Sequence, residues 1–560
     1  MSQVSPPDHP VAPTTVVAKW VFWPSAAIVL VFVVYALVAP QSAEQLFDGL
    51  QSTIVRNFSW YYVLIAALFV FFALWMGFSR FGSIKLGKDD DEPEFSLMSW
   101  LSLLFAAGMG IGLVFYGVSE PLSHFANPRP GVSGSDSVLA QSALSQTFLH
   151  WGFHAWAIYV VVGLALGYAI HRRNRPVSIR WALEPLLGRR VRGGWGNLID
   201  IIALVGTLFG VATSLGLGVL QIGAGLETSG IAESTRTSQI IIIVVITGAA
   251  VFSLITGVNR GMKWLSNTNL VIAGVLLLAV LFLGPTQFLL REFVQSIGAY
   301  LQNFLGLAFT VSAFAGRAGE EWQAAWTTFY WGWWMSWAPF VGIFIARISR
   351  GRTVRQFVAG VLLVPTAITF LWFSVLGGAA IIRETEGNGG LIGPDGAVDL
   401  EGSLFLLLED LPAGGVLIAG AIILIALFFV TSSDSGSLVM AMLATGGQVE
   451  PRNTIRVFFA IVTALVAIAL LFSGGLEALK TAAITTALPF SVVMLLMCWS
   501  TVVAFGRERR AYEKAERDVL IDRVGVYYGL EVDAPTEQAP RGLGFKRRRP
   551  TRGHHEPDVF

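Results

Sequence analysis

Twelve apolar runs, each of roughly 18 to 25 residues, constrain this 560-residue chain more than any other feature of its sequence. Runs of that length allow a helix to cross about 30 Å of hydrocarbon. The pattern therefore predicts an all-α integral membrane protein with twelve transmembrane helices. The predicted spans are residues 20–39, 60–79, 99–118, 147–170, 198–222, 239–257, 267–284, 327–347, 356–379, 413–433, 454–474 and 480–505.

Composition agrees with a chain that lies in lipid. Hydrophobic residues make up 54% of it and charged residues 13%, against roughly a quarter charged in an ordinary soluble protein. The net charge of +1 gives no overall field that would recruit nucleic acid, so nucleic-acid binding is excluded as a primary role. The single cysteine, Cys498, excludes an internal disulfide framework and a cysteine-rich metal site.

Basic residues crowd alternate loops, which predicts an orientation because cytoplasmic loops carry an excess of Lys and Arg. The loops after spans two, four and eight are basic, whereas those after spans three, five and nine carry little more than Arg129, Arg236 and Arg383. The even-to-odd loops and both termini are therefore expected in the cytoplasm, with the protein in the cell membrane. The basic residues are Arg80, Lys85 and Lys88; Arg172, Arg173, Arg175, Arg180, Arg189, Arg190 and Arg192; and Arg347, Arg350, Arg352 and Arg355.

Three regions follow: a cytoplasmic N-terminal segment (1–19), a twelve-helix membrane domain (20–505) and a cytoplasmic tail (506–560). The first eighteen residues lack a signal-peptide pattern, so the first span is expected to remain in the mature protein. Residues 293–314 are expected to form an amphipathic helix along the membrane surface. The basic cluster at 546–549 has two open interpretations, a solubilising tail or a contact with anionic lipid.

Span three carries Gly108, Gly110 and Gly112 at alternate positions. Each glycine weakens a helix by about 1 kcal/mol relative to alanine, which favours unwinding. Transporters use such broken helices to bind substrate and ions near the middle of the membrane. The alternative is close helix packing through the Gly108 and Gly112 pair, and the glycine density alone favours that alternative.

Span ten ends in a group of hydroxyls and one acid, Thr431, Ser432, Ser433, Asp434 and Ser435. These are hard oxygen ligands, which suit Na⁺ better than any soft metal. We expect Thr431 and Ser432 to be functional. For Asp434 we favour a structural role, as a cap of a broken helix, over a role as an ion ligand or proton carrier.

Aromatic side chains cluster in spans four and eight. Trp151, Trp156 and Tyr159 share one arc of span four, whereas His154 points elsewhere and is expected to be a hydrogen-bonded structural residue. In span eight Trp331, Trp334 and Trp337 recur at every third residue. Each cluster alone is typical of a membrane-interface belt. Together they suggest a cage for a quaternary ammonium, because ring faces attract such a cation without a carboxylate partner.

Several motifs in this order resemble the betaine/choline/carnitine transporter family from about residue 20 to residue 505. They are GMGIGLVFYG at 108–117 followed by SEP at 119–121, the aromatic runs at 151–159 and 331–340, ARISRGR at 346–352 and TSSDSG at 431–436. The resemblance implies two inverted five-helix repeats, about 99–284 and 327–505, in a LeuT-like fold. It also implies a homotrimer that imports glycine betaine by Na⁺ symport with alternating access, without a cofactor beyond the coupling ion.

The family's functional positions carry over residue by residue. The resemblance implies an aromatic box of Trp151, Trp156, Tyr159 and Trp334, with Trp333 and Trp337 beside it and gates at Phe115, Phe340 and Phe344. One sodium site would use the carbonyls of Ala106 and Met109 and the hydroxyls of Thr431 and Ser432. A second would use Thr207, but Val211 stands where the family's other hydroxyl belongs, and Thr213 faces another way. Gly112 stands where choline transporters tend to place an aspartate, which favours a zwitterion such as glycine betaine.

Other functions remain open from the sequence. A carrier for ectoine, proline, choline, carnitine or dimethylsulfoniopropionate could use the same scaffold, and coupling could be to protons or to exchange. A solute sensor or channel is the alternative from a different class. An enzyme is least favoured, because the chain has no HExxH motif, no Ser/His/Asp arrangement and no phosphate-binding glycine loop.

Overall fold

The computed structural model describes residues 17–528 except 109 and 257–258, together with residues 530–532 and 545–547, and nearly all of them are helical. The α-helices of this part of the chain are α1 (Lys19–Val38), α2 (Pro40–Phe78), α3 (Leu97–Gly108), α4 (Ile111–Ala126), α5 (Asp136–Trp151), α6 (Phe153–Gly167), α7 (Glu184–Leu187), α8 (Gly194–Thr228), α9 (Arg236–Thr256), α10 (Asn259–Leu283), α11 (Thr286–Ala308), α12 (Gly316–Gln323), α13 (Phe329–Arg347), α14 (Val354–Glu386), α15 (Ser403–Glu409), α16 (Gly414–Ala444), α17 (Asn453–Phe472) and α18 (Gly475–Tyr528).

Shorter elements complete the secondary structure of the described residues. Arg80–Ser83, Ile179–Leu183 and Gly188–Arg192 are 3-10 turns, and Tyr168–Arg172 and Ala324–Thr328 are π-helical turns. Strands β1 (Leu530–Val532) and β2 (Phe545–Arg547) pair antiparallel. The chain divides between Thr501 and Val502 into two compact units, and the strands lie in the second.

Ten helical segments within the described residues are long and apolar enough to cross a membrane. They coincide with ten of the predicted runs. The run at 99–118 is divided between α3 and α4, and the run at 327–347 contains α13, a 19-residue helix rich in amphipathic tryptophan. The all-α fold is therefore as predicted, whereas the count of twelve spans is not established.

Two interruptions open the helices where the site lies. Between α3 and α4 the backbone at Gly110 is extended, with φ −161° and ψ 179°, so the glycine-rich run is unwound. The glycine density favoured close helix packing over unwinding, but the helix is interrupted here. Close packing occurs as well, because Gly112 lies against Trp333. Gly152, with φ −94° and ψ −134°, separates α5 from α6, a break that the sequence did not predict.

The basic loops predicted to share one side of the membrane meet at one end of the first unit. Leu86 donates its backbone N–H to Arg352 at 2.8 Å, and Arg172 pairs with Asp89 at 2.9 Å. Asp91 accepts hydrogen bonds from the Lys88 backbone and the Arg350 side chain, which lower the pKa of its carboxyl. The grouping is the one that the positive-inside pattern requires.

Helices of predicted spans three to seven pack on helices of predicted spans eight to twelve in crossed pairs. Helix α4 of span three packs on α14 of span nine, and α6 of span four packs on α13 of span eight. Helix α8 packs on α16 and α9 packs on α17, so the third and fourth segments of the two groups also meet as counterparts. Crossed contacts of this kind are compatible with two repeats, about 99–284 and 327–505, and the inverted repeats stay a prediction.

Helix α11 covers residues that were expected to form an amphipathic helix. Leu290, Val294, Leu301 and Leu305 expose large apolar side chains, while Tyr300 is fully buried. The helix packs on α5 and α14 and is not among the segments that could span a membrane. Its two-sided character agrees with a helix that lies along a lipid surface.

Candidate functional site

An aromatic cavity lies between the α3–α4 interruption, the α5–α6 break and α13. All seven residues that the sequence predicted for substrate contact line it. The lining residues are Gly110, Ile111, Gly112, Leu113, Trp151, Ala155, Trp156, Tyr159, Ser214, Trp333, Trp334, Trp337 and Thr369.

The rings of this cavity form a continuous cluster. Trp151 meets Trp334 edge to face, with ring centroids 4.9 Å apart, and Tyr159 meets Trp334 in the same way at 6.4 Å. Trp156 lies 5.4 Å from Tyr159, and Trp333 stacks on Trp334 at 4.6 Å. Trp151, Trp156, Tyr159 and Trp334 are each at least nine-tenths buried, so a cation held among them would be desolvated.

Indole N–H groups anchor the cluster to the backbone around it. Trp334 donates to the carbonyl of His150 at 2.8 Å, and Trp337 donates to the carbonyl of Gly210 at 2.7 Å. The polar edges of these two rings are thus satisfied by the protein. The apolar bodies and π faces of the rings remain as the chemistry available to a ligand.

Gly112 has no room for a side chain. A Cβ atom at this position would lie 2.2 Å from Cη2 of Trp333, whose own N–H donates to Ser214 at 3.2 Å. An aspartate at position 112 would therefore require Trp333 to move. The glycine brings the unwound segment against the ring cluster.

No carboxylate is among the residues described as lining the cavity. A quaternary ammonium needs none, because each ring face attracts it, with a contribution of about 2 kcal/mol or more when desolvated. The hydroxyls of Ser214 and Thr369 are the polar side chains besides the tryptophan and tyrosine groups. The arrangement can bind a compact alkylated cation that has no hydrogen bond to donate.

A buried acid behind the cavity was missed by the sequence reasoning. Glu120, on α4, is fully buried and accepts a hydrogen bond from Trp151 Nε1 at 2.7 Å and another from the Tyr330 hydroxyl. Its other oxygen lies 2.6 Å from His150 Nδ1 and 3.3 Å from His124 Nε2. An acid within an apolar run was the available signal, since such residues are usually functional.

The three titratable groups could in principle hold a cation themselves. One ligand atom each of Glu120, His124 and His150 lie within 4.8 Å of one another. However, Trp151 and Tyr330 already donate to the carboxylate, and His150 Nε2 lies 3.0 Å from the Thr327 hydroxyl. Hydrogen bonds satisfy Glu120 and His150 without a metal.

The predicted gate residues separate into two places. Phe115 is fully buried, meets Tyr116 with ring centroids 4.8 Å apart and does not line the aromatic cavity. Phe340 and Phe344 line a second cavity of about 710 Å³ empty volume. Trp337 lines both cavities, so its indole lies at the boundary between them.

Thr431 and Ser432 line the second cavity. Together with Ser435 they place three hydroxyl-bearing residues on its α16 wall. The Thr431 hydroxyl donates to the carbonyl of Leu427 at 3.0 Å and accepts a bond from Asn269 at 3.3 Å. Asn269 was not predicted, and its amide oxygen is buried without a partner among the described residues. Of the other sodium residues, Met109 lies outside the described residues, and only the helical backbone of Ala106 is described.

The predicted second sodium site lacks one of its two hydroxyl ligands. The Thr207 hydroxyl donates to the carbonyl of Ala203 at 2.7 Å, and Val211 is fully buried and apolar. Thr213 donates to the carbonyls of Phe209 and Leu479, at 2.9 and 3.0 Å. Thr213 thus turns its hydroxyl toward α18, as the helical geometry suggested.

Two expectations about polar side chains need correction. Helix α16 continues unbroken to Ala444, so Asp434 caps no broken helix; it pairs with Arg456 on α17 at 2.9 Å. His154 was expected to be hydrogen-bonded, but neither ring nitrogen has a partner in the described part of the chain. Instead its ring stacks on Trp331 at 5.2 Å, which is packing rather than hydrogen bonding.

A family model described as BCCT, betaine/carnitine/choline family transporter, matches residues 20–510. The chain belongs to the betaine/carnitine/choline transporter family. Members of this family are transporters, so the chain is a multi-pass membrane transporter and not an enzyme.

Similar proteins agree with this membership. An uncharacterized transporter of Mycobacterium tuberculosis is 50% identical over 491 residues, covering 87% of this chain and 82% of that protein. The glycine betaine transporter OpuD of Bacillus subtilis is 44% identical over 497 residues, covering 89% and 96%. Glycine betaine transporter 1 of Vibrio parahaemolyticus is 42% identical over 508 residues, covering 88% and 96%. Among solved structures, a manganese transporter mutant of Eremococcus coleocola aligns with a TM-score of 0.38 at 14% identity over 80% of this chain and 92% of that chain, too distant to inform the fold.

Proposed function

We propose that this transporter imports a quaternary-ammonium compatible solute, with glycine betaine as the first candidate. The observation that carries the proposal is the buried cluster of Trp151, Trp156, Tyr159 and Trp334 around a cavity without a lining carboxylate among its described residues. Relatives that are 42% and 44% identical and are named glycine betaine transporters support it.

The site offers no room for an aspartate at position 112, which favours glycine betaine over choline as the candidate. Choline has no carboxylate, so an added aspartate could offset its net positive charge, whereas betaine carries its own negative charge. The Cβ of any such aspartate at position 112 would meet Trp333 at 2.2 Å. Ectoine, proline, carnitine and dimethylsulfoniopropionate are competitors to be tested against betaine, because other compact solutes with a positive centre also suit ring faces.

The proposed driving force is Na⁺ symport. Thr431 and Ser432 offer hydroxyl oxygens, and α3 ends at Gly108, so its last backbone carbonyls, that of Ala106 among them, have no partner within the helix. A sodium ion there would tie the unwound segment to α16 and complete the neighbouring substrate cavity. The apolar Val211 beside Thr207 argues for one sodium ion rather than two.

Alternating access would use the aromatic residues between the cavities. We assign Phe115 to the gate on one side of the bound solute and Phe340 with Phe344 to the gate on the other. Trp337 borders both cavities, so its release from the Gly210 carbonyl would connect them. Solute and ion would then leave through the second cavity.

The proposed orientation, location and oligomeric state rest on sequence features. The clustered basic loops support cytoplasmic termini and a cell-membrane location by the positive-inside rule. A homotrimer is proposed from the family resemblance, and contact of the basic tail at 546–549 with anionic lipid is proposed from its charge.

Uptake by the purified full-length chain in proteoliposomes tests the function. Radiolabelled glycine betaine should accumulate above its external concentration when an inward Na⁺ gradient is imposed, and unlabelled competitors should rank the solutes. Equilibration without accumulation would indicate a channel. Accumulation that persists when K⁺ replaces Na⁺ would contradict sodium symport and indicate proton coupling or exchange.

A further inference from the structure

A carboxylate lies directly behind one wall of the aromatic cavity. Trp151 lines the cavity, and its indole nitrogen donates to Glu120 Oε2 at 2.7 Å. Glu120 itself does not line the cavity and is fully buried. The indole ring therefore stands between the ligand space and a buried acid.

The environment of Glu120 suits an ionised carboxylate. The Trp151 indole can only donate, and the Tyr330 hydroxyl donates to the same oxygen. On the other oxygen, His150 Nδ1 lies at 2.6 Å while its Nε2 faces the Thr327 hydroxyl at 3.0 Å, which fits Nδ1–H as the donor to the acid. His124 Nε2 adds a fourth contact at 3.3 Å. The donors from Trp151, Tyr330 and His150 offset the cost of burying one negative charge.

We propose that the buried carboxylate of Glu120 makes the aromatic cavity selective for solutes with a cationic head group over solutes of the same shape whose head group is uncharged. This inference rests on the proposed function and extends it from the ring faces to the charge behind them.

Two physical effects act in the same direction. A hydrogen bond from the Trp151 N–H to an anion polarises the indole, which makes its ring face more negative toward a cation. In addition, the carboxylate attracts the cation directly through a medium of low dielectric constant. Neither effect acts on a neutral group, whereas a purely positional role for Glu120 would support both kinds of ligand equally.

The test compares glycine betaine with 3,3-dimethylbutanoate, in which carbon replaces the quaternary nitrogen. Both ligands are titrated against the full-length chain in lipid nanodiscs by tryptophan fluorescence, with competition for weak binders. Glu120→Gln keeps the size of the side chain and removes its charge. Glu321→Gln is the matched control, because Glu321 is exposed on α12 and makes only a local pair with Arg317.

We expect Glu120→Gln to weaken betaine binding by about tenfold and to change binding of the isostere much less, so the affinity ratio falls. The control variant should keep the wild-type ratio. An equal loss for both ligands, or no loss for either, would overturn the inference. If the wild-type protein did not bind glycine betaine, the proposed function would be overturned, and the inference with it.

Tyr330→Phe provides a test if Glu120→Gln does not fold. This variant removes one of the donors that stabilise the ionised carboxylate, so the preference for betaine over the isostere should fall. An unchanged ratio would contradict a role for the negative charge.

Discussion

At the scale of single residues, the site depends on the close approach of Gly112 to the ring of Trp333. Its missing side chain allows the unwound segment to approach Trp333, and a Cβ atom would come within 2.2 Å of that ring. Gly112→Ala should therefore displace Trp333 and weaken betaine binding by about tenfold, the usual scale of an overpacked site. A fluorescence titration measures this.

The matched control for that substitution is Gly248→Ala on α9, where nothing lies within 4 Å of the added Cβ. It should leave binding unchanged. Wild-type affinity in Gly112→Ala would show that the close approach to Trp333 does not shape the site.

A second residue-scale prediction concerns Glu292 on α11. Burial raises the pKa of its carboxyl to about 7, against a hydrogen bond from Ser296 that lowers it. In the folded protein the Glu292 carboxyl therefore stays protonated up to about pH 7. In the unfolded chain it loses its proton near the ordinary pKa of glutamate. Because the folded state binds more protons between these two values, the free energy of unfolding should fall as pH rises through that window.

Thermal unfolding at pH 5 and pH 8 checks the prediction. Glu292→Gln should reduce the loss of melting temperature between the two pH values. An identical loss in wild type and variant would mean that Glu292 does not titrate there.

At the scale of elements, α16 and α17 are joined by the pair of Asp434 and Arg456. Both side chains are largely buried, 5% and 15% exposed. Asp434→Asn should lower the free energy of unfolding by about 2 kcal/mol or more, because Arg456 would lose its charged partner. Glu513→Gln, which breaks a more exposed pair with Arg509, should change it little.

The sodium dependence of uptake distinguishes this structural role from ion binding. If Asp434→Asn raised the Na⁺ concentration needed for half-maximal uptake while leaving stability unchanged, Asp434 would be an ion ligand instead.

Sequence patterns predicted those elements whose signals are local. Apolar runs predicted the helices, and Trp151, Trp156 and Tyr159 could be grouped because they lie within one span. The break at Gly152 was missed, since a single glycine in an apolar run is usually tolerated. Glu120 and Tyr330 could not be paired, because 210 positions separate them and only tertiary packing brings them together.

At the scale of the whole molecule, coupling depends on how many ions bind with the solute. A single sodium site at Thr431 and Ser432 predicts that uptake depends on Na⁺ concentration with a Hill coefficient of about 1. Thr431→Ala should shift this curve to higher Na⁺. A coefficient clearly above that value in wild type would require a second site despite Val211.

The central claim is that aromatic rings bind the substrate, and Trp334 tests it most directly because it contacts both Trp151 and Tyr159. Glycine betaine binding to the full-length chain should weaken about thirtyfold in Trp334→Ala, the loss of one desolvated ring face. Trp334→Phe should retain part of the affinity, and Trp499→Ala, at an exposed site, should retain all of it. Wild-type betaine affinity in Trp334→Ala would contradict the aromatic cage.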